Sequence, residues 1–373
     1  MNIVEILARL VAFPSVVGTS NADIVDWIRI YLEDLGISVT VLPGPEGDRS
    51  NLFATIGPRD VAGYILSGHM DVVPAGEPNW TSDPFTLRKE SDRLYGRGTT
   101  DMKGFLAAAL AAAPELARTN LSQPIHLAFS YDEEAGCRGV PHLLTHLKDL
   151  CAHPQGAIIG EPSGMQAVRA HKGKAAARVT IGGRAGHSSR PDLALNAIHA
   201  MSKVLNAAVD EAQELMLGPF DFAFDPPYSS LQAGVIAGGS ALNIVPDSCR
   251  LDLEARAIAN VDPEELIAPV RRSAEELKKH GFSVEWTPLS AYPALSLAKD
   301  APLATLMEEI TGKASLPAVS YGTEAGLYQA AGIDAIICGP GDIGRAHKPD
   351  EFVLETELQE CHRMIMALAM RCA

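Results

Sequence analysis

Residues 64–74 read YILSGHMDVVP, a short apolar run that leads into a histidine and an aspartate two positions apart. Side chains two apart on an extended chain point to the same side, so Asp71 can reach the ring of His69 and fix its tautomer. Ligands of open α/β sheets bind outside the carboxyl ends of the strands. The stretch therefore predicts a polar site at the end of a buried strand, although a histidine satisfied within the core is the alternative for this motif alone.

Helical and strand-like patterns alternate on both sides of this stretch. The apolar, strand-like runs cover 63–66, 125–130, 157–159 and 335–338. The helical patterns cover 2–12, 22–35, 102–117, 301–311, 324–331 and 355–370. Such alternation predicts an α/β domain in which helices flank a mixed, mainly parallel central sheet.

A segment with a different rhythm interrupts this domain. Strand-like runs cover 175–181, 231–236, 250–257 and 282–287, and helical patterns cover 193–215 and 263–280. Asp262 is a good N-cap for the second helix, and Gly281 is a good stop. The order β-α-β-β-α-β is typical of a split-βαβ, ferredoxin-like domain. We therefore predict an insertion over 174–285 within a larger domain formed by 1–173 and 286–373.

The composition excludes several classes of protein. The net charge is −15 over 373 residues, whereas a nucleic-acid-binding protein usually presents a basic face. No apolar run approaches the roughly 20 residues that a membrane span requires, and the N-terminus lacks the basic head of a secretory signal. The six cysteines show no CxxC spacing, which favours reduced thiols. We therefore expect a cytoplasmic protein with neither nucleic acid nor a membrane as a partner.

Four further motifs carry acidic residues or histidine. They are GRGTTDMKG at 96–104, YDEEAG at 131–136, GEP at 160–162 and AHKPDEF at 346–352. Taken singly, the acids have ordinary explanations: Asp101 as a helix N-cap, and Glu133 and Glu134 as a solvated turn. The glycines of the first motif do not complete a phosphate-binding loop. Only the combination points to a single kind of site.

The combination supplies two imidazoles and three carboxylates, from His69, Asp101, Glu134, Glu161 and His347. This mixed nitrogen and oxygen set suits zinc or a similar divalent ion. With one carboxylate shared, it divides between two ions about 3.5–4 Å apart, the spacing of two-metal hydrolases. The sequence therefore predicts a two-metal hydrolase.

Together the motifs resemble the metallopeptidase and deacylase family M20, and the resemblance covers essentially the whole chain. It implies a di-zinc aminopeptidase-like catalytic domain with an inserted dimerisation domain. One metal is implied to bind His69 and Glu161. The other is implied to bind Glu134 and His347, with Asp101 bridging the two. The ions are expected to be zinc, with cobalt as an alternative.

The resemblance also implies roles for the residues that surround the metals. Asp71 would hold the ring of His69, and the peptide bond Asp101–Met102 would be cis. Glu133, adjacent to a ligand but not itself one, would take a proton from the attacking water and pass it to the departing amine. The cleaved bond would be a linear amide.

A further residue of the family pattern, His187, lies in the inserted segment. The resemblance implies that it donates to the tetrahedral oxyanion of the partner subunit's site. The alternative is a histidine that caps the helix beginning near Leu193. A homodimer is therefore the expected assembly, because the site of one chain would be incomplete.

The substrate-binding residues implied by the resemblance are Asn243, Arg256, Gly322 and Thr323. The planar guanidinium of Arg256 suits a substrate α-carboxylate, while an ordinary ion pair is the alternative. The AIAN at 257–260 departs from the Pro-Gly loop that follows the arginine in many such deacetylases. That departure leaves the choice of acyl-amino acid open.

Within the family, FDPPY at 224–228 and GTEAG at 322–326 look most like acetylornithine deacetylase. The predicted substrate is an N-acyl amino acid, preferably N2-acetyl-L-ornithine, cleaved to L-ornithine and acetate in arginine biosynthesis. The alternatives are a succinyl-diaminopimelate desuccinylase, an aminoacylase, a carboxypeptidase or a dipeptidase. A non-catalytic, metal-binding dimer is disfavoured because it would have no need of the general base Glu133.

Overall fold

A computed structural model describes all 373 residues as nine α-helices and seventeen β-strands joined by loops. The helices are α1 (Ile3–Val11), α2 (Ala22–Glu33), α3 (Lys103–Leu116), α4 (Gly139–Leu150), α5 (Ala197–Leu215), α6 (Pro263–Glu276), α7 (Pro302–Thr311), α8 (Ala325–Ala330) and α9 (Glu355–Cys372). The strands are β1 (Ser38–Pro43), β2 (Ser50–Ile56), β3 (Tyr64–His69), β4 (Arg88–Glu90), β5 (Arg93–Tyr95), β6 (Ile125–Ser130), β7 (Gly156–Pro162), β8 (Ala170–His171), β9 (Gly173–Gly182), β10 (Gly186–His187), β11 (Ser230–Gly238), β12 (Ile244–Val245), β13 (Ser248–Ala257), β14 (Ser283–Tyr292), β15 (Leu295–Ser296), β16 (Ala335–Gly339) and β17 (Phe352–Leu354). Short 3₁₀ helices cover Pro191–Leu193, Leu277–His280 and Ile343–Arg345. No helix combines the length and the apolar character needed to cross a membrane.

Packing divides the chain into two units, each with its own apolar core. The first consists of Met1–Ala170, Leu297–Ala318 and Thr323–Ala373, and the second of His171–Ser296 and Val319–Gly322. β14 continues to Tyr292, beyond the strand-like pattern predicted over 282–287, and the second unit extends past residue 285, the predicted end of the insertion.

The first unit is built on a six-stranded sheet with the order β1-β2-β6-β3-β7-β16. β6, β3, β7 and β16 run parallel to one another. At one side of the sheet β2 pairs antiparallel with β6, and β1 pairs antiparallel with β2. This confirms the predicted mixed, mainly parallel sheet. Sequence analysis missed β1, β2 and α4. β1 is an edge strand with one buried residue, so it lacks the continuous apolar run that marks a central strand.

The central strands and α3 form the core of the first unit. β6, β7 and β16 are buried at every position, because helices cover both faces of this part of the sheet. Helix α3 packs against α1 and α9, and nearly all of its residues are buried. Its many alanines let the helix lie close to its neighbours. Asp101 lies in the loop directly before this helix.

The second unit contains one antiparallel sheet with the order β11-β13-β9-β14, covered by α5 and α6. Alternate residues of β13 are buried, as expected for a sheet with helices on one face. Asp262 caps α6 by accepting a hydrogen bond from the Glu264 backbone N–H at 2.9 Å, and Gly281 ends the next turn with φ +86°. The predicted β-α-β-β-α-β fold is therefore confirmed.

Gly160 permits the close approach of β7 to α3. A Cβ atom at this position would lie 2.0 Å from Cγ of the Phe105 ring. We expect Gly160→Ala to lower the free energy of unfolding by about 1–3 kcal/mol, because a packed core resists an added methyl group. Chemical denaturation followed by circular dichroism measures this loss.

Gly76→Ala is the matched control, because a Cβ atom there would meet no atom within 4 Å. It should change the free energy of unfolding by less than about 0.5 kcal/mol. If the two variants were equally stable, close packing at Gly160 would not be the reason for a glycine there.

Candidate metal centre

Two of the predicted metal ligands lie at the carboxyl ends of neighbouring parallel strands. His69 is the last residue of β3, and Glu161 lies in β7. Ser67 pairs with Ile159, so each ligand follows this pair by two residues and reaches the same edge of the sheet. The strand is longer than the predicted run over 157–159, because β7 extends through Pro162 and includes Glu161.

The other three candidate ligands come from loops. Glu134 follows β6, Asp101 precedes α3, and His347 has the left-handed φ of +59°. The alternative in which Asp101 is a helix N-cap is wrong, because the N-cap residue of α3 is Met102. The peptide bond Asp101–Met102 is cis, as the family resemblance implied.

Asp101 contacts two histidines through different oxygens. Its Oδ1 lies 3.0 Å from Nε2 of His69, and its Oδ2 lies 3.2 Å from Nε2 of His347. Glu161 Oε1 lies 3.8 Å from the same nitrogen of His69. Glu134 Oε1 lies 2.9 Å from the same nitrogen of His347. The five side chains therefore form two sets, each with one imidazole and one glutamate, that share one aspartate.

Glu133 also lies within this cluster. Ligand atoms of His69, Asp101 and Glu134 lie within 4.8 Å of one another, and so do those of His69, Glu133 and Glu161. The thiol of Cys137 donates to Glu133 Oε1 at 3.2 Å. Glu133 therefore stands close enough to exchange a proton with a molecule held between the ligands.

The ring of His69 is held in one tautomer. Its Nδ1 lies 2.9 Å from the backbone carbonyl oxygen of Asp71, which can only accept a hydrogen bond. Nδ1 therefore carries a proton, and Nε2, which faces Asp101, offers a lone pair to a metal once the ring is neutral. Sequence analysis assigned this contact to the Asp71 carboxylate, but its nearest oxygen lies 3.6 Å from Nδ1.

The carboxylate of Asp71 has a different task. Its two oxygens accept hydrogen bonds from the backbone N–H groups of Glu133 and Glu134, both at 3.1 Å. It thereby ties the loop after β6 to the end of β3. The preceding acid of that loop, Asp132, forms an ion pair with Arg49. The three consecutive acids of the YDEEAG motif consequently have three different surroundings.

The cluster concentrates negative charge where little water reaches. Burial raises the pKa of Glu133 to about 8, and it raises the pKa values of Glu134 and Glu161 as well. Hydrogen bonds to Asp101 and Glu134 raise the pKa of His347 to about 10. The protein alone therefore retains protons in this cluster. Divalent cations can replace these protons, so the donor set fits metal ions.

Sequence analysis assigned no role to two buried carboxylates near the ligands, Glu324 and Glu351. Glu324 accepts hydrogen bonds from the hydroxyls of Ser67, within β3, and Ser130, the last residue of β6. Glu351 accepts one from the backbone N–H of Asp101 at 3.1 Å. Glu324 belongs to the GTEAG motif and Glu351 to the AHKPDEF motif. Their place in these motifs was the only sign in the sequence that either residue lies near the site.

His187 and Asn243 are exposed residues of the second unit. The alternative in which His187 caps a helix is wrong, because α5 is capped by the Asn196 side chain. Nδ1 of His187 lies 2.7 Å from the Ser189 hydroxyl, and the backbone N–H of Ser189 donates to the same nitrogen at 3.2 Å. A neutral ring that accepts both hydrogen bonds at Nδ1 carries its proton on Nε2.

The three remaining predicted substrate residues all make contacts within the protein. Arg256 donates to Glu254 at 2.7 Å and to the hydroxyl of Tyr292 at 3.2 Å, so the ion pair weighed as an alternative is present. Gly322 leaves room for Tyr292, whose ring would lie 2.5 Å from an added Cβ. Thr323 is buried, and its hydroxyl accepts from a backbone N–H at the start of α8 at 3.0 Å. Their roles toward substrate stay predictions.

Imidazoles and carboxylates at the strand ends of an α/β sheet define the class of metal-dependent hydrolases. A family model described as peptidase family M20/M25/M40 matches residues 65–371. The chain belongs to this family and is a metallohydrolase that acts on amide bonds. The resemblance drawn from the motifs is therefore confirmed.

Two relatives are similar along nearly their whole length. The acetylornithine deacetylase of Proteus mirabilis (strain HI4320) is 33% identical over 370 residues, which cover 94% of this chain and 91% of that protein. The acetylornithine deacetylase of Shigella sonnei (strain Ss046) is 34% identical, with 95% of this chain and 93% of that protein covered.

Two solved structures share the fold. A metallo-carboxypeptidase of the M20 family from Sulfolobus solfataricus has a TM-score of 0.81 at 19% identity, covering 99% of this chain and 98% of its own. A dinuclear metal-binding peptidase of the M20 family from Bacillus subtilis has a TM-score of 0.69 at 15% identity, covering 99% and 97%. At these identities the likeness shows the fold alone.

We predict that metal binding releases protons from this cluster. The raised pKa of His347, about 10, means that the metal-free imidazole is protonated near neutral pH and must lose its proton to bind a cation. Affinity for Zn²⁺ should therefore rise as the pH is raised from about 6 to about 8. Calorimetric titration of metal-free protein, in buffers with different ionisation enthalpies, counts the protons. Binding without proton release, or affinity that does not change with pH, would contradict this electrostatic account.

Proposed function

We propose that this chain removes the acetyl group from N2-acetyl-L-ornithine, giving L-ornithine and acetate, a reaction of arginine biosynthesis. The observation that carries the hydrolytic part is the division of the two Asp101 oxygens between His69 and His347. The choice of substrate is supported by the identity of 33% to the acetylornithine deacetylase of Proteus mirabilis over 94% of the chain. The resident ions are proposed to be two zinc ions, with cobalt as a working substitute.

The proposed chemistry divides labour between metals and side chains. Bound divalent ions would polarise the amide carbonyl and lower the pKa of water. Glu133 is the proposed proton carrier, because it lies among the ligands and belongs to neither of the two sets that share Asp101. Bound cations would favour its ionised form, which can accept a proton from water and deliver it to the departing amine. The hydrogen bond from Cys137 orients one of its oxygens.

His187 is proposed to stabilise the oxyanion of the tetrahedral intermediate. Its tautomer supports this role, because a ring that accepts at Nδ1 from Ser189 offers an N–H donor at Nε2. Donors of this kind act where negative charge develops during the reaction. We propose that the histidine acts on the metal centre of the partner subunit in a homodimer.

An exposed edge strand supports the homodimer. β11 pairs only with β13, and all its residues from 232 to 238 are exposed. Among them are Val235 and Ile236, which are 46% and 53% exposed. Apolar side chains on an unpaired edge are a liability for a monomer and are suited to pairing with a second copy. We propose this edge as part of the contact between subunits.

Substrate recognition is proposed to involve Asn243, Arg256, Gly322 and Thr323. The guanidinium of Arg256 is oriented by Glu254 and Tyr292, and a guanidinium held in this way suits bidentate binding of an α-carboxylate. An N-acyl amino acid carries such a carboxylate, as does a dipeptide. A panel of N-acyl amino acids and dipeptides therefore tests which amide is cleaved.

We expect zinc-loaded protein to hydrolyse N2-acetyl-L-ornithine with the highest kcat/KM in a panel of amides. The panel contains N-succinyl-LL-diaminopimelate, N-acetyl-L-methionine and dipeptides, and the margin should be at least about tenfold. Protein treated with a chelator should lose the activity and regain it with Zn²⁺ or Co²⁺. If acetylornithine were among the poorest substrates, the proposed substrate would be wrong and a related deacylase or dipeptidase would take its place.

A mixed dimer tests the roles of Glu133 and His187 together. Glu133→Gln should keep both metals and lower kcat by about 10²–10⁴-fold, and His187→Ala should lower it by about 10²–10³-fold. The two variants are co-expressed with different affinity tags, and the doubly tagged heterodimer is isolated. It contains one site with Glu133 of one chain and His187 of the other, so it should recover about half of the wild-type activity.

Doubly tagged homodimers of each variant are the controls, and they also measure any contaminating hydrolase of the expression host. A heterodimer no more active than these homodimers would show that His187 acts within its own chain or has no catalytic role. Loss of metal from Glu133→Gln would reassign that residue from proton carrier to ligand.

A further inference from the structure

A buried ion pair lies directly behind the loop that carries Asp101. The guanidinium Nη1 of Arg97 donates to Oε2 of Glu351 at 2.9 Å, and both side chains are only 1% exposed. Sequence analysis assigned neither residue a role. Taking two charges out of water is costly, and a buried pair is weak evidence of added stability. The placement of this pair points to a function in the site.

Both oxygens of Glu351 are used on the backbone of this one loop. Oε2 accepts from the N–H of Gly98 at 3.0 Å in addition to Arg97. Oε1 accepts from the N–H of Thr100 at 2.9 Å and from that of Asp101 at 3.1 Å. Three backbone donors within four residues therefore converge on one carboxylate, which fixes the path of the chain up to Asp101.

Arg97 connects this loop to the segment that follows His69. Its Nη2 donates to the carbonyl oxygen of Pro74 at 3.2 Å and to Oε1 of Glu77 at 2.8 Å. Its guanidinium carbon also lies 5.1 Å from the centre of the Trp80 ring. Arg97 thus contacts the segment that follows His69. Through its ion pair with Glu351, it also contacts the segment that follows His347.

The geometry required of Asp101 explains why such support is useful. Each of its oxygens must reach a different histidine, so a small rotation of its backbone would favour one set of ligands and weaken the other. Functional side chains are held in place by surrounding groups to within about 0.5 Å. Residues that orient metal ligands in this way change metal affinity without contacting the metal.

We propose that Glu351, oriented by Arg97, is a positioning residue that holds Asp101 where it can be shared by two metal ions. The inference rests on the proposed two-metal site and adds to it a residue that touches neither metal nor substrate. It assigns the AHKPDEF motif two tasks, since His347 is a ligand candidate and Glu351 supports the bridging one.

The test compares Glu351→Gln with Asp350→Asn. Glutamine has the same shape but turns an amide group toward backbone N–H donors. Asp350 is the matched control, because the same loss of charge occurs in the same motif and its carboxylate accepts only from Thr81, at 3.1 Å and 2.9 Å. Metal-free wild-type protein and both variants are titrated with Co²⁺, and the visible spectrum of the bound cobalt is recorded.

We expect Glu351→Gln to bind Co²⁺ about 10–100-fold more weakly than the wild type, with an altered cobalt spectrum. Its kcat should fall with little change in KM, because Glu351 does not contact the substrate. Asp350→Asn should match the wild type in all three measurements. Glu351→Asp, which keeps the charge but shortens the side chain, should give an intermediate affinity.

A merely structural role predicts a different pattern. In that case Glu351→Gln would have a lower melting temperature in the metal-free state, while its folded fraction would bind Co²⁺ with wild-type affinity and spectrum, and the inference would be overturned. If Glu351→Gln does not fold, Arg97→Lys replaces it, because one ammonium cannot hold Glu351, Glu77 and Pro74 together. Wild-type affinity in Arg97→Lys would then also overturn the inference.

The same titration separates this inference from the proposed function. Wild-type protein that binds no Co²⁺ would overturn the two-metal site and the inference with it. Wild-type protein that binds two ions but fails to cleave acetylornithine, together with weaker Co²⁺ binding by Glu351→Gln, would leave the positioning role of Glu351 supported and the substrate wrong.

Discussion

Asp101 presents one carboxylate oxygen to His69 and the other to His347, and this sharing constrains much of the first unit. The two histidines reach the aspartate from different elements, His69 from the end of β3 and His347 from a loop. The aspartate itself is carried by a loop at the start of α3, facing the ends of the parallel strands. The distance from that helix to the sheet therefore decides how far Asp101 stands from its partners.

That distance is set by small residues. Added Cβ atoms at Gly68 and Gly160 would meet the side chains of Met102 and Phe105 at 2.6 Å and 2.0 Å. Both glycines are next to a ligand candidate in sequence, and both bulky side chains belong to the start of α3. The packing of α3 on the sheet therefore also determines the geometry of the site. A residue that moved the helix outward would also move Asp101 away from His69.

Much of this arrangement could be predicted from the sequence, for a physical reason. The central strands are covered on both faces, so they appear as apolar runs, and their ligands follow at or near the strand ends. The edge strand β1 lacks that signal, and its neighbour β2 was also missed although it is buried at six of its seven positions. Helix α4 begins at Gly139 with no side-chain cap, so its start was unmarked. The role of each acidic residue was harder to predict, because the role depends on contacts between distant parts of the chain.

Glu351 shows this limit clearly. Its partners, at residues 97–101, are about 250 positions earlier in the chain, and no local pattern indicates that its carboxylate faces their N–H groups. Likewise, nothing in the sequence shows that Asp71 contacts His69 through its carbonyl and the loop at 133–134 through its carboxylate. The spacing of motifs predicts where a site lies. Which atom of each residue makes which contact depends on hydrogen bonds between segments that are far apart in the sequence.

The positions of the positively charged side chains divide four of these acidic residues into two pairs. Asp132 is neutralised by Arg49, and Glu351 by Arg97, so their charges are already compensated. Glu134 and Glu161 have ion-pair contacts only with histidines. Buried Lys103, which is nearby in sequence, donates to two backbone carbonyls instead of a carboxylate.

Burying carboxylates without a compensating charge is costly, so cations must supply what lysine and arginine do not. The protein thus separates two pairs of acids within the same motifs. Asp132 and Glu351, which are paired with arginine, accept backbone N–H groups, whereas Glu134 and Glu161, which form ion-pair contacts only with histidines, remain available to metal ions. Asp71 also accepts backbone N–H groups although its ion-pair contact is His69, so backbone hydrogen bonds decide the task of an acid together with charge.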